Sequence, residues 1–337
     1  MFLFGVFLVV VVGIAPMLIY AFILAWFDRY EKEPLGLLAA AFLWGAVPAA
    51  VFSLIAELLL DVPISYFVDP AAATLVGTAL VGPVIEEIFK GLALFLLVLL
   101  FRREIDSPLD GIIYGGLVGF GFAAVENVLY FASTLSTGGI GDVLTLGFLR
   151  AFLFGLNHAL FTGLTGLGIA LGRSARNRVA KIAAPLAGLA LGITAHAIHN
   201  AMVTFGEQSV WPCLLAVLSD WGGVLILLVI IAGSMLKERA WIVSNLADEV
   251  AHGTLSRESY EIASSSYRRI IHRLIVLSTG DVARWKGLGR YYQALTELAF
   301  KKQRLARFAQ EQDTAASVEQ FRERVVLLGE QLAAAGE

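Results

Sequence analysis

The chain has one cysteine, Cys213, among its 337 residues. That excludes an internal disulfide and any cluster of thiolate metal ligands. Charge is equally scarce, with Asp, Glu, Lys and Arg at 16% against 58% hydrophobic residues. Soluble domains carry about 25% charged residues, so this composition, with a mean hydropathy of +0.76, belongs to a polytopic membrane protein. The net charge of −3 gives no ground for a nucleic-acid partner. No HExxH zinc motif and no internal repeat of the kind common in transporters occur. Met1 to Phe27 lacks a basic leader and a small-residue cleavage site, and its apolar run is too long for a signal peptide. A retained span is expected there.

What is present is apolar length. Seven apolar segments are expected to cross the bilayer, at 2–27, 35–60, 73–101, 109–133, 145–172, 180–205 and 211–236, each near the roughly 20 residues a transmembrane helix needs. The loops between them alternate in charge. The first, third and fifth carry Arg29 and Lys32, Arg102 and Arg103, and Arg173, Arg176, Arg178 and Lys181; the others contain no Lys or Arg. Basic loops stay in the cytoplasm, which predicts an outside N-terminus and an inside C-terminus. Glycines recur in spans four and five, and the i, i+4 pair Gly115–Gly119 lets membrane helices approach closely.

Residues 1–236 hold 10 Lys/Arg and 15 Asp/Glu, whereas 237–337 hold 15 and 13. The last hundred residues therefore read as a separate cytoplasmic helical domain, 237–337, after a transmembrane domain, 1–236. The fold class is all-α. Tyr267, Ile270, Leu274 and Leu277 are expected to line one helical face, and Leu288, Tyr292, Leu295 and Ala299 another. Val318, Phe321, Val325, Leu328 and Leu332 follow the spacing of a packed hairpin or short coiled coil. No convergent acids, bases or nucleophile stand in this domain. It offers a surface for a cytoplasmic partner or self-association. Arg268, Arg269 and Arg273 read as a solvated face in preference to a headgroup contact.

Inside the third apolar run stands Pro83-Val84-Ile85-Glu86-Glu87-Ile88-Phe89-Lys90. Charges at bilayer depth are costly and mark a bundle interior or wet cavity with a function. Glu86 and Lys90 share a helix face at i, i+4, while Glu87 is turned about 100° away. A structural Glu86–Lys90 pair would leave Glu87 without a role, so the doublet asks for partners. The other spans supply Glu126-Asn127, Asn157-His158, His196, His199 and Asn200, and Asp220. Counted from the span ends, Glu86 and His158 fall roughly 20 Å below the outer surface and Glu126 and His196 roughly 10–14 Å, close enough to meet in one site. Glu57 and Asp61 read as interfacial, Arg150 as snorkelling to the outer surface, and Asp220 has no motif behind it.

Two histidines, several carboxylates and an amide from four helices are the ingredients of a hydrolytic site. Imidazole and carboxylate are the usual ligands of a catalytic zinc that keeps a position open for water, a nearby carboxylate can act as general base, and an amide or imidazolium can hold an oxyanion. A proton-coupled transporter would show a similar census.

Glu86-Glu87-Ile-Phe-Lys90 reads as EExxK and Phe122-Ala-Ala-Val-Glu126 as FxxxE. With His158 and His196-xxx-Asn200 on the next two spans, the set resembles the PrsW family of intramembrane proteases. Through it the chain is similar to the wider CAAX prenyl endopeptidase (Abi) superfamily, whose motifs are EExxxR, FxxxH and HxxxN. The first loop, Asp28-Arg-Tyr-Glu-Lys-Glu-Pro34, also looks like that of PrsW-like proteins. The resemblance covers roughly 15–205 and leaves the C-terminal domain unaddressed.

The resemblance implies a membrane-embedded peptidase acting on an anti-sigma-factor-like single-pass protein. Carried over by position, Glu86 is the general base, Glu87 shapes the site, Lys90 pairs with a site carboxylate and Asn200 steadies the oxyanion. Glu126, His158 and His196 are the metal candidates, with zinc the ion considered; the two histidines stand alternatively as oxyanion-side donors, in an enzyme that is either metal- or glutamate-dependent. Glu126 stands where the CAAX enzymes have histidine, which leaves open whether it binds a metal, a proton or nothing. The reading from a different class is a non-enzymatic membrane protein, a proton-linked transporter or a sequestering partner, which would not need the complete Glu86, Glu87, His158 and His196 set.

Overall fold

The computed structural model describes residues 2–30, 32–67, 69–101, 104–206, 209–307 and 312–334. Arg102 and Arg103 of the third loop lie outside them, as does the side chain of Asp61. The described chain is helical and contains no strand. Its helices are α1 (Phe2–Trp26), α2 (Leu35–Trp44), α3 (Ala50–Phe67), α4 (Pro70–Val76), α5 (Gly82–Leu100), α6 (Pro108–Thr137), α7 (Ile140–Gly147), α8 (Asn157–Ser174), α9 (Arg178–Gly206), α10 (Val210–Ala251), α11 (Arg257–Ala263), α12 (Ser266–Ser278), α13 (Val282–Arg307) and α14 (Gln312–Ala334). Among the described residues, six helical segments are long and apolar enough to cross a membrane. The run expected as the third span is not one of them. It is assembled from α4, a π-helical turn at Gly77–Val81 and α5, and Glu86, Glu87 and Lys90 dilute its apolar character.

The chain divides into two compact units, one of Met1–Asp28 with Glu33–Ala232 and one of Arg29–Lys32 with Gly233–Glu337. In the first unit α6 is the central helix, buried almost continuously from Leu109 to Ala124. Its start is written in Ser107-Pro-Leu-Asp110: Asp110 N–H donates to Ser107 Oγ and Ser107 N–H donates to Asp110 Oδ2 at 2.7 Å. This reciprocal box satisfies two backbone donors that a helix start leaves orphaned, and Pro108 occupies the first turn, where no N–H is needed.

Helix α6 packs on α1, α2 and α8. Its glycines explain how closely. A Cβ at Gly115 would stand 3.0 Å from the Cα of Gly163, and one at Gly119 would collide with the carbonyl of His158. Without a hydrophobic drive between helices in lipid, such backbone-to-backbone contact holds them. Here it also presses α6 against the residue that begins the histidine side of the site.

Three π-helical turns interrupt the membrane helices, at Gly45–Ala49, Gly77–Val81 and Phe148–Leu153. Such turns concentrate at functional sites. The second and third lie just ahead of α5 and α8. They divide the expected spans 73–101 and 145–172, which hydrophobicity alone reads as unbroken runs.

The second unit has its own core, formed by Ile242, Leu246, Leu288, Tyr292, Leu295, Ala299, Val318 and Val325, with Phe321, Leu328 and Leu332 packed on it. Tyr30 is part of that core and only 4% exposed. Beneath it, Glu249 accepts from Lys302 at 2.9 Å and from Arg322 at 2.9 Å. The stripe expected on α12 forms one face of that helix, and the face is turned to solvent. Tyr267, Ile270, Leu274 and Leu277 are exposed, and Arg269 and Val276 are buried instead. Periodicity gives the stripe of a helix but not the direction it faces.

Candidate active site

Helix α5 places Glu86, Glu87 and Lys90 in the interior of the first unit, with Glu87 and Lys90 fully shielded from solvent. Lys90 Nζ donates to Glu86 Oε2 at 2.9 Å and to Glu87 Oε1 at 2.9 Å. It also lies 3.1 Å from His158 Nδ1 and 3.8 Å from the centre of the Phe122 ring. The i, i+3 and i, i+4 spacing brings both carboxylates to one ammonium. The aromatic position of FxxxE supplies a π-face to the same cation.

The two imidazoles arrive from α8 and α9. His196 is 2% exposed, and its Nδ1 stands 3.1 Å from Glu87 Oε1 and its Nε2 3.9 Å from Glu86 Oε2. Glu87 accepts a further bond, from Thr162 Oγ1 at 2.9 Å, one turn after His158 on α8. With Nδ1–H donated to Glu87, the lone pair of His196 is on Nε2, facing Glu86. His158 pairs its Nε2 with Glu126 Oε2 at 2.9 Å. Accepting from Lys90 on Nδ1, it carries its proton on Nε2. The rings of His158 and His196 meet edge to face with centroids 5.1 Å apart.

Several groups stand where the sequence alone does not put them. Glu57 turns inward: among the described residues its Oε1 is buried without a hydrogen-bond partner, over Gly82, where Glu86 Oε1 also points. Distance from a span's end gives depth, but not which way a side chain faces. Arg150 does not snorkel outward. It donates to Glu126 Oε2 at 2.7 Å and Asn127 Oδ1 at 2.9 Å and lies over the Tyr130 ring. A cation that finds a carboxylate inside the bundle has no reason to reach the interface. Asn200 donates to the Thr78 carbonyl at 2.9 Å. In the π register that carbonyl looks to residue 83, and Pro83 has no N–H to give. Asp220, without a motif, accepts from Asn157 Nδ2 at 2.9 Å and His199 Nδ1 at 2.7 Å. It thus ties the residue before His158 to the histidine three residues after His196. The nearest signal in the sequence is its isolation, a lone acid in an apolar run.

Glu86, His158 and His196 offer donor atoms that all lie within 4.8 Å of one another. This carboxylate and two imidazoles are a donor set that suits zinc. Each imidazole also has a carboxylate at its other nitrogen, Glu87 or Glu126, the outer pairing typical of metal-bound histidines. Lys90 sits among the same donors, so an ion and the ammonium compete for Glu86 and His158. The residues fit a metal. The set differs from the expected Glu126, His158 and His196 in that Glu86 converges with the imidazoles while Glu126 backs His158.

Comparison with known proteins follows this geometry. "Protease PrsW" of Geobacillus kaustophilus is 33% identical over 139 residues, 41% of this chain and 55% of that protein. The Clostridioides difficile protein of the same name is 34% identical over 121 residues, 36% of this chain and 49% of that protein. The Oceanobacillus iheyensis one is 40% identical over 77 residues, 23% and 32%. The chain spans about half the length of the first two of these curated relatives. No solved structure matches it. The family described as "PrsW family intramembrane metalloprotease" matches residues 33–234, from the end of the first loop to the middle of α10 and across every group of the site. The chain is a multi-pass membrane protein that belongs to the PrsW family of intramembrane metalloproteases.

Proposed function

We propose that the chain is an intramembrane endopeptidase that hydrolyses a peptide bond of a membrane-protein substrate, by resemblance an anti-sigma-factor-like single-pass protein. The observation that carries this is the convergence of Glu86 on α5 with His158 and His196, which stand on helical segments apolar enough to span a bilayer. The bond itself needs water, a base and a proton donor in a place that excludes bulk solvent.

Glu86 presents two faces. Its Oε2 is bonded to Lys90 on the His196 side, and its Oε1 looks into the space over Gly82. That second oxygen takes the proton from the attacking water and returns it to the leaving amine nitrogen. Glu87 holds the His196 ring, Thr162 holds Glu87, and Lys90 lends positive charge to the developing oxyanion. Asn200, engaged on Thr78, steadies the oxyanion only by leaving that carbonyl. Zinc held by Glu86, His158 and His196 would supply a water acidic near pH 7.

Metal dependence is tested by titrating chelator-treated protein in nanodiscs with cobalt(II) and recording its absorption. A tetrahedral-type spectrum that disappears in His196→Ala is expected, with Glu126→Gln weakening binding about 10–100-fold. Equal spectra in wild type and His196→Ala would favour a glutamate-dependent, metal-free reaction.

We also propose the N-out, C-in orientation, which the alternating basic loops support. In a Cys213→Ser background, Ser136→Cys should react with an impermeant thiol reagent in intact cells and Ser174→Cys should not. The reverse pattern would place the site in the inner half of the membrane. A cytoplasmic partner or self-association through 237–337 belongs to the same proposal, since the catalytic groups all lie outside that unit.

A further inference from the structure

Helix α12 is amphipathic and inverted. Its apolar residues Tyr267, Ile270, Ile271, Leu274 and Ile275 recur at i, i+3, i+4, i+7 and i+8, the stripe of a helix that buries one face. Yet all five are exposed, Tyr267 at 69% and Ile275 at 57%. The face toward the core of its own unit carries Val276 and two polar groups. Arg269 donates to Thr296 Oγ1 at 2.7 Å, and His272 hydrogen-bonds the Tyr292 hydroxyl. A sequence that spends five large apolar side chains on one stripe and turns them outward marks an interaction surface.

The charge around the stripe says what covers it. Residues 264–290, α12 and the start of α13, hold six Lys/Arg against one Asp. Of these, Arg268, Arg284, Lys286 and Arg290 are exposed, with Arg268 also 3.6 Å from Glu261 of α11. A basic rim about an apolar stripe fits an anionic lipid surface, where the side chains enter the acyl boundary and the cations meet phosphates. A second copy packed stripe to stripe would instead oppose two rims of like charge. The chain also enters this unit from α10, whose apolar first part spans the bilayer, so the lipid surface is always at high effective concentration. We infer that α12 is an interfacial helix that lies on the anionic cytoplasmic leaflet through Tyr267, Ile270, Ile271, Leu274 and Ile275.

The test uses the full chain in a Cys213→Ser background, spin-labelled at Leu274→Cys or, as a water-facing control, at Glu330→Cys. Nanodiscs of phosphatidylcholine with and without phosphatidylglycerol supply the surface. The Leu274 label should be accessible to oxygen and shielded from a water-soluble nickel chelate, at a depth of about 5–10 Å. It should move toward water when phosphatidylglycerol is omitted or when Arg268→Glu and Lys286→Glu are combined. A label as nickel-accessible as that at Glu330 would overturn the inference. Spin–spin broadening between copies would overturn it in favour of a dimer. Should the label disturb α12, Ile271→Trp quenched by brominated lipid reads the same contact, and absence of quenching has the same meaning.

Discussion

Replacing Glu86 by glutamine should leave a folded membrane protein that cleaves a single-pass substrate about 10²–10⁴-fold more slowly, the range that general-base assistance covers. Glutamine keeps the shape and removes the ionisable oxygen that faces the space over Gly82. The fold should tolerate this because Lys90 retains two partners, Glu87 at 2.9 Å and His158 at 3.1 Å. Glu86 is therefore not the ammonium's only counter-charge. His158→Ala and His196→Ala should fall to a similar rate, since groups acting as one unit do not lose activity additively. Rate and melting temperature measured together in nanodiscs decide the matter. A Glu86→Gln protein that melts normally and cleaves at the wild-type rate would remove Glu86 from the reaction.

Lys90→Met should show the opposite pattern, a loss of stability first. Removing the ammonium leaves Glu86 and Glu87 facing one another at 7% and 0% exposure. Leaving a buried charge uncompensated costs about 3–5 kcal/mol. Adding Glu87→Gln removes one of the opposed charges and should recover part of the melting temperature. It should not recover cleavage, because His196 then loses the carboxylate that orients it. A Lys90→Met protein as stable as wild type would mean that the two carboxylates share a proton and do not need the lysine.

How much of this was legible depended on whether the physics is local. The apolar runs other than the third and the Glu86–Lys90 spacing are statements about a few neighbouring residues, and the structure places them where the sequence does. Glu87, His158 and His196 converge because their motifs fall in order on successive helices. What the sequence could not convey is direction and register. Nothing in the run around Glu57 says which way that carboxylate points, and nothing near Arg150 says that Glu126 waits for it. Asp220 meets Asn157 and His199 across three helices, a contact that no spacing along the chain encodes. The π-helical turns at Gly77–Val81 and Phe148–Leu153 are silent in hydropathy, because they alter hydrogen bonding without altering polarity. Helix α12 shows the same limit: its stripe is plain and its orientation is not.

The central claim is that Glu86, His158 and His196 form a peptidase site inside the bilayer. The most direct measurement compares newly generated protein N-termini in membranes of cells expressing the wild-type chain or its His196→Ala variant at equal levels. The account predicts that new N-termini, mapping within or beside the transmembrane segment of at least one single-pass protein, appear with wild type and vanish with His196→Ala. Identical N-termini in the two membranes, with both proteins folded and inserted, would contradict it.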